Sequence, residues 1–180
     1  MGRLMKISFR KLSVNDFPVI LKWLETPHVK AWWDTNISWN LEKIIEKYQS
    51  YVAGFKWEGG EKKTIFAYMI AAQGRDVGYI QYYSAHDFLM IPNIPSFQGT
   101  LAAIDFYIGE SDVLGYGIGS RALTQFMDEV VFKHFDATLV TPDIKNIAAI
   151  GCYQKAGFVP VLQQEEKNEL WMIHRKEDKL

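Results

Sequence analysis

The stretch Leu114-Gly115-Tyr116-Gly117-Ile118-Gly119 places three alternate glycines between a strand-like run and an amphipathic helix. Glycine adopts backbone conformations that turn successive N–H groups toward one point, and the start of the following helix favours negative charge. A diphosphate needs several such donors within a small arc, so the stretch predicts a phosphate-binding loop. Taken alone, a tight turn with no ligand explains the glycines equally well. The spacing differs from the dinucleotide fingerprint, and no Lys-Ser/Thr pair follows as in a P-loop.

A second segment, about thirty residues later, places Asn146 and Tyr153 on one short helix. Seven residues are almost two helical turns, so both side chains leave the same face, roughly 10 Å apart. Ala149 lies between them and is small enough for a thin ligand to lie close. This spacing suits the pantetheine arm of a thiol-ester cofactor, with Tyr153 at the sulfur end. The alternative is an asparagine that caps the helix and a tyrosine that packs in the core.

Size and composition predict a single domain over residues 1–180. Apolar residues make up 48% of the chain and charged residues 23%, which is ordinary for a globular protein. No apolar run approaches the ~18 residues needed to span a bilayer, and the start of the chain contains no apolar signal core. We therefore expect a cytoplasmic protein that does not bind membranes. Cys152 is the only cysteine, which excludes an internal disulfide and a cysteine-rich zinc site, and no metal site is predicted.

The net charge of −1 conceals an uneven distribution along the chain. Residues 1–63 carry 11 basic and 7 acidic side chains (+4), residues 64–143 carry 3 and 9 (−6), and residues 144–180 carry 6 and 5 (+1). The acidic middle argues against nucleic acid as a partner, because nucleic acid requires a clustered basic face. It suits a small cationic substrate, although a solvated acidic surface is the simpler explanation of the charge alone.

Hydrophobic periodicity predicts strands and helices in the order of a mixed α/β fold. Strands are predicted at residues 6–12, 64–72, 76–84, 100–108, 137–141, 157–163 and 168–174. Helices are predicted after Ser13-Val14-Asn15-Asp16, after Thr26-Pro27, after Asn40 or Ser38, at 117–133 and at 145–155. The helix after Asn40 is expected to bury Ile44, Ile45, Tyr48 and Val52. A hairpin turn is predicted at Gln73-Gly74-Arg75, and a loop with Pro92 and Pro95 at 85–99.

In this order, these residues resemble the GNAT superfamily of acetyl-CoA-dependent N-acetyltransferases. Leu114–Gly119 is similar to the pyrophosphate loop of that family, whose pattern is Gln/Arg-x-x-Gly-x-Gly/Ala. The segment from Asn146 to Phe158 resembles the family's Asn-x-x-Ala-x-x-x-Tyr-x-Lys-x-Gly-Phe motif at six fixed positions in thirteen. The resemblance implies acetyl-CoA as the cofactor. It also implies an α/β (α+β) fold with a mixed, mostly antiparallel central sheet, splayed at the cofactor cleft, and helices on both faces.

The resemblance implies that the cofactor contacts both segments and the end of the strand before the loop. The implied cofactor residues are Tyr107, Ile108, Leu114, Gly115, Tyr116, Gly117, Ile118, Gly119, Ser120, Asn146, Ala149 and Tyr153. Because Leu114 replaces the usual Gln or Arg, its contacts with phosphate are expected to come from the backbone. A backbone N–H near Tyr107-Ile108 is expected to polarise the thioester carbonyl.

Within the superfamily, the chain resembles the aminoglycoside 6′-N-acetyltransferases nearly from end to end. Trp23-Leu24, His28-Val29 and Trp32-Trp33 look like the first helices of that group. The siderophore-side-chain acetyltransferases share the His…Trp-Trp pattern, so a hydroxylamine or lysine-like siderophore precursor is an alternative acceptor. A non-catalytic acyl-CoA sensor is a third possibility. Two departures distinguish this chain from the aminoglycoside enzymes: Thr141-Pro142 replaces Asp-Pro, and residues 85–99 contain one acid, Asp87.

The resemblance implies direct attack of the acceptor amine on the thioester, without a covalent acetyl-enzyme. Tyr153 is the candidate acid for the leaving thiolate, and Asp105 is expected near the amine, either as a base or as an orienting charge. Adjacent helical residues point about 100° apart, so at most one of two neighbouring tryptophans faces the substrate. Substrate contacts are predicted for Trp32, Trp33, Tyr82, Asp105 and Asp143. The four histidines are interpreted as surface or packing residues, and Cys152 as a small buried hydrophobe. The sequence does not fix the oligomeric state.

Overall fold

A computed structural model of the protein describes residues 5–88 and 97–176. Within these residues, the strands are Ile7–Lys11 (β1), Phe55–Glu58 (β2), Glu61–Thr64 (β3), Phe66–Ala72 (β4), Arg75–Ser84 (β5), Leu101–Ile108 (β6), Ala137–Val140 (β7), Val159–Gln164 (β8) and Glu169–Arg175 (β9). The α-helices are Phe17–Leu24 (α1), Pro27–Lys30 (α2), Leu41–Val52 (α3), Ile118–Glu129 (α4) and Ile147–Lys155 (α5). None of the helices in this part of the chain combines the length and apolar character needed to cross a bilayer.

Seven strands form one mixed sheet in the order β1-β4-β5-β6-β7-β9-β8. The pairs β1/β4, β7/β9 and β8/β9 are antiparallel, and β6/β7 is parallel. The register of β6 with β7 runs from Leu101–Ala137 to Ala103–Leu139. The predicted mixed, mostly antiparallel α/β fold is therefore confirmed. The splay of the sheet at a cofactor cleft stays a prediction.

The chain divides into two compact units. The first unit comprises the chain up to Gln81 together with Phe106–Ile118, and the second comprises Tyr82–Asp105 and the chain from Gly119 onward. Strands β5 and β6 contribute residues to both. A single domain over residues 1–180 stays a prediction.

In the first unit, the predicted start of α1 is built around a buried carboxylate. Asp16 accepts hydrogen bonds from the Ser13 backbone N–H at 2.8 Å and from the Arg10 guanidinium at 2.7 and 2.9 Å. Burial alone would raise the pKa of the Asp16 carboxyl, but the hydrogen bonds from Arg10 and Ser13 lower this pKa below its ordinary value. Arg10 also contacts Asp76, whose side chain is 32% exposed. Asp16 thus joins the end of β1 to the start of α1.

Helix α3 begins after Asn40, whose side-chain oxygen accepts a hydrogen bond from the Lys43 N–H at 2.9 Å. The expected burial is correct for Ile44 and Tyr48 and wrong for Ile45 and Val52, which are exposed. Tyr51 is buried instead. The inner face follows the spacing 44, 48 and 51, whereas 45 and 52 are seven residues apart on a face that points to water.

Two hairpins complete the first unit. Gln73 and Gly74 both have positive φ, 52° and 81°, which confirms the predicted turn between β4 and β5. The hairpin β2–β3 was not predicted. Its turn, Gly59-Gly60, is a hairpin signal, but Glu61–Thr64 contains no apolar residue and so shows no strand periodicity.

The second unit has a core in which Trp171 of β9, 1% exposed, is the largest side chain. The other buried members are Ala85, Leu101, Ala103, Ala137, Leu139 and Ile173. Helix α4 ends at Glu129, and a separate 3₁₀ turn at Val131–Lys133 replaces the end of the helix predicted to reach residue 133. Of the predicted loop at 85–99, Ala85–Phe88 forms a 3₁₀ turn, and Pro92 and Pro95 lie outside the described residues.

We expect Asp16→Asn to lower the free energy of unfolding at pH 7 by about 2 kcal/mol, because it weakens a charged, half-buried hydrogen-bond network. Since the pKa of Asp16 is lowered in the folded state, its contribution is present above the unfolded pKa of about 4 and lost as pH falls through the folded pKa. The acid limb of a stability–pH curve should therefore be flatter in the variant. Asp76→Asn, which removes the more exposed partner of Arg10, is the control. Equal losses in the two variants would contradict the assignment.

Candidate functional site

The glycine loop precedes helix α4 and has the conformation that the sequence predicts. Gly115 and Gly117 have φ of 82° and 72°, a region that favours glycine. No atom of the described residues lies within 4 Å of a Cβ built at either position, so the requirement for glycine is conformational. Alternating residues of this kind form backbone concavities that bind anions. The loop therefore fits the phosphate group that the sequence predicts there.

The side chains of the loop support a backbone-based site. Leu114 and Tyr116 are 42% and 70% exposed, whereas Ile118 is buried and anchors the end of the loop. Helix α4 begins at Ile118, so Gly119 and Ser120 lie in its first turn. The first N–H groups of a helix have no partner within the helix and are suited to an anion.

Asn146 is the N-cap of helix α5. Its side-chain oxygen accepts a hydrogen bond from the Ala149 backbone N–H at 3.1 Å. The capping role considered as the alternative for Asn146 is therefore the one its oxygen performs. Any further contact with a ligand would come from the carboxamide nitrogen, which is a donor.

The C-terminal end of α5 is closed by the two residues that complete the motif. The Phe158 N–H donates to the Tyr153 carbonyl at 3.0 Å, and Gly157 has φ of 89°, which together form a Schellman cap. A Cβ at Gly157 would lie 2.8 Å from the ring of His174, so both the backbone angle and the lack of space favour glycine at this position. The Phe158 ring packs edge-on against Tyr153, with centroids 5.7 Å apart. The motif thus encodes both ends of the helix that carries Tyr153.

The Tyr153 phenol lies in a buried environment that keeps it protonated. Burial raises the pKa of Tyr153 far above its ordinary value, and the nearby Asp105 carboxylate raises it further. Tyr153 is 8% exposed, and Asp105 on β6 is half-buried. Both residues that the sequence predicts as catalytic lie in the second unit, where the charge of Asp105 contributes to the raised pKa of the Tyr153 phenol.

Cys152 does not have the character of a nucleophile. Burial raises the pKa of the Cys152 thiol to about 11, with a small opposing effect from Lys155. Nucleophilic cysteines have lowered pKa values, because the thiolate is the reactive form. The thiol beside Tyr153 is therefore protonated at neutral pH.

In the first unit, the end of β6 is held from several sides. The His28 ring donates to the Ile108 carbonyl at 2.9 Å, which makes His28 a structural residue. Gly78 packs so closely that a Cβ there would lie 2.4 Å from the Tyr107 carbonyl oxygen. Beyond β6, Glu110 accepts hydrogen bonds from the Trp23 indole at 2.8 Å and from Lys22 at 2.7 Å. These contacts fix the chain that leads into the glycine loop.

The predicted substrate residues have different surroundings. Trp32 is 48% exposed, whereas Trp33 is half-buried and packs edge-on against Tyr107, with centroids 4.9 Å apart. Tyr82 is buried in the core of the second unit, where its ring contacts Phe126 and Phe135. The Asp143 carboxylate accepts a hydrogen bond from the Lys145 N–H at 2.8 Å and stabilises the turn before α5.

Sequence reasoning missed a group of side chains around Trp33. Tyr48 and Tyr79 pack together with Trp33 and Tyr107. Burial is the main cause that raises the pKa of Tyr48 and of Tyr107, and the negative charge of Asp34 raises both pKa values further. Tyr48 was predicted only as a core residue of its helix. Asp34 follows Trp32-Trp33 directly, and an acidic residue next to two aromatic residues could have indicated this group from the sequence.

The family model described as acetyltransferase (GNAT) domain matches residues 13–165. Aminoglycoside N(6′)-acetyltransferases type 1 from Klebsiella pneumoniae and Serratia marcescens are each 25% identical over 159 residues, which is 84% of this chain and 73% of the relative.

Among solved structures, an uncharacterized protein from Bacillus halodurans has a TM-score of 0.79 at 22% identity, over 95% of this chain and 84% of that one. The aminoglycoside acetyltransferase AAC(6′)-Ib in complex with coenzyme A and kanamycin has a TM-score of 0.76 at 22% identity, over 95% of each chain. At this identity the structural likeness shows the fold.

We expect Gly157→Ala to destabilise the protein by about 2 kcal/mol, because it combines a left-handed backbone with contact against His174. Gly151→Ala is the matched control in the same helix, since a Cβ there meets no atom within 4 Å and its φ is not positive. Alanine is the better helix former, so Gly151→Ala should stabilise by up to about 1 kcal/mol. Chemical denaturation of both variants measures the difference, and destabilisation of the same size in both would contradict the cap.

Proposed function

Because this chain belongs to the GNAT acetyltransferase family, we propose that it transfers the acetyl group of acetyl-CoA to a primary amine of a cationic small molecule. The identification made from the sequence motifs is confirmed at the level of the family. The proposed acceptor is the 6′-amino group of an aminoglycoside, and the proposed route is direct attack within a ternary complex. The observation that carries the proposal is the buried, protonated Tyr153 beside Asp105, on a helix whose motif residues form both caps.

Acetyl-CoA would supply the acetyl thioester. The backbone of Leu114–Ile118 and the first turn of α4, with Gly119 and Ser120, would bind its diphosphate through N–H groups. Asn146 and Ala149 would contact the pantetheine arm, with Tyr153 at its sulfur end. Tyr107 and Ile108 would contribute their backbone near the thioester. Coenzyme A is also the ligand named for the AAC(6′)-Ib neighbour.

Tyr153 would act on the leaving sulfur as a hydrogen-bond donor. A thiol has an ordinary pKa of about 8.5 and a phenol of about 10, and burial moves the pKa of Tyr153 further upward. Complete proton transfer from phenol to thiolate is therefore uphill. A short hydrogen bond from Tyr153 stabilises the developing negative charge without that transfer, and the proton that the nitrogen loses after attack, relayed through water, completes the protonation of the thiolate.

Asp105 would hold the acceptor by its charge. A carboxylate on β6 attracts an ammonium group, and its negative charge also opposes ionisation of Tyr153. Before attack, the ammonium loses one proton from the Asp105 side of the site to solvent, which leaves the amine neutral. The net charge of −6 over residues 64–143 supports a cationic acceptor. The similarity to aminoglycoside N(6′)-acetyltransferases supports the aminoglycoside class.

A panel of amines tests the acceptor, with release of the coenzyme A thiol as the readout. We expect turnover with kanamycin, because it offers a 6′-amino group on a polycationic scaffold. A lysine-like amine and an N-hydroxylated diamine represent the siderophore alternative. Turnover of those two with no activity on any aminoglycoside would contradict the proposed acceptor. Binding of acetyl-CoA with no turnover of any amine would instead support an acyl-CoA sensor.

We expect Tyr153→Phe to lower kcat by roughly a hundredfold while the Kd for coenzyme A changes little, because the phenol acts on the leaving group. Its neighbour Cys152 offers a matched control. Cys152→Ala should keep kcat within about twofold, since the thiol is protonated at neutral pH and forms no covalent intermediate. For both variants, steady-state kinetics measure kcat and calorimetry measures the Kd for coenzyme A. Incorporation of labelled acetyl into the wild-type protein would contradict direct attack.

A further inference from the structure

A cluster of four aromatic rings lies within the first unit. Trp33 packs edge-on against Tyr79 and Tyr107, at centroid distances of 6.1 and 4.9 Å. Tyr79 stacks on Tyr107 at 5.6 Å and meets Tyr48 edge-on at 5.7 Å. We refer to Trp33, Tyr48, Tyr79 and Tyr107 as the aromatic cluster. Its rings present several π-faces, to which an organic cation is attracted.

Buried polar atoms in the cluster and beside it have no hydrogen-bond partner among the described residues. The Tyr107 hydroxyl is buried and has no hydrogen-bond partner in residues 5–88 and 97–176. The same holds, within those residues, for the indole N–H of Trp39, whose ring lies 6.3 Å from that of Tyr48. The Tyr48 hydroxyl is likewise buried without a hydrogen-bond partner among these residues. A buried polar group without a partner is costly, so these atoms are available to hydrogen-bond a polar ligand.

One carboxylate and one ammonium group adjoin these atoms. Asp34 forms an ion pair with Lys47 at 2.7 Å, and both side chains remain about a quarter exposed, 26% and 28%. The Lys47 ammonium also lies 5.2 Å from the ring centroid of Trp39 and 5.3 Å from that of Tyr48. A carboxylate together with aromatic faces is the chemistry that recognises an external ammonium. Here a lysine of the chain itself occupies that position.

Asp34 is held in an unusual backbone conformation. Its φ is 47°, one of three positive values at non-glycine residues in the described chain. Such a conformation is costly for a residue with a side chain, although aspartate tolerates it better than most. Asp34 therefore faces Lys47 and the tyrosines at some expense in backbone energy, which is typical of functional positions.

We propose that Asp34 and the Tyr107 hydroxyl form a subsite for a second ammonium group and an adjacent hydroxyl of the acceptor, and that Lys47 holds the ammonium position until the acceptor replaces it. This inference rests on the proposed function in that the acceptor is a cationic amine. The ligand class is a polyhydroxylated compound with at least two ammonium groups. The flexible four-carbon stem of Lys47 allows its ammonium to move into water when the ligand arrives.

In this proposal, Lys47 and the second ammonium group of the acceptor compete for Asp34, so removing the Lys47 ammonium should strengthen acceptor binding. Lys47→Met leaves Asp34 without its partner, so the KM for kanamycin should fall about tenfold with kcat unchanged. The KM for glucosamine, which has a single amine and no second ammonium for the subsite, should stay the same. Lys47→Arg keeps a cation and should resemble the wild type. Lys43→Met is the matched control one turn earlier in α3, where the ammonium donates to the Ser38 carbonyl.

Equal KM values for kanamycin in Lys47→Met and Lys43→Met, with both variants folded by circular dichroism, would overturn the proposal. If Lys47→Met does not fold, Asp34→Asn replaces it. That variant should raise the KM for kanamycin about tenfold and leave glucosamine unaffected, and an unchanged KM for kanamycin would overturn the proposal. Should the wild type acetylate no amine, the proposed function fails by itself. Calorimetric titration of kanamycin into the wild type and Lys47→Met then decides the subsite alone, with tighter binding to Lys47→Met expected.

Discussion

The capping of helix α5 is the constraint on which the proposed site depends. A helix of nine residues is too short to be stable by itself, so its position must come from its ends and its packing. Asn146 satisfies an N–H of the first turn, and Gly157 allows the chain to reverse so that Phe158 returns onto Tyr153. The phenol therefore lies in a buried setting where it stays protonated. Asn146, Gly157 and Phe158 thus each have a physical task that can be stated without a ligand.

The glycine loop illustrates a different kind of constraint. Gly115 and Gly117 are required for their backbone angles, while the side chains between and before them are exposed. Recognition by backbone N–H groups depends on shape and on the start of α4 rather than on any particular side chain. The proposed diphosphate site would therefore tolerate Leu114 where a polar residue is usual in the family. The chain before the loop is fixed instead, through Trp23, Glu110 and the His28 contact with Ile108.

Sequence reasoning predicted those features that are local. The cap at Asn40, one of the two residues offered for it, the hairpin turn at Gln73-Gly74 and the end of α5 at residue 155 follow from chemistry within a few residues. Burial on α3 was less predictable, because Ile45 is as apolar as Ile44 and only packing decides which faces inward. The side chains of the proposed subsite could not be assembled from the sequence at all. Asp34 and Tyr107 are far apart in the chain, and only the fold reveals that the Asp34 charge raises the pKa of the Tyr107 phenol. Similarly, the sequence predicts Tyr82 as a substrate contact and does not show that its side chain lies in the core.

The position of the single cysteine gives the protein an internal reporter. Cys152 lies on α5 directly beside Tyr153, and with a pKa of about 11 only about one thiol in ten thousand is ionised at pH 7. An alkylating reagent should therefore react slowly while the helix is in place and much faster whenever it unwinds. The rate of modification would then measure how often the helix opens in the native ensemble, without any engineered label. Ligands that order this helix could be ranked by the protection they give to one natural sulfur atom.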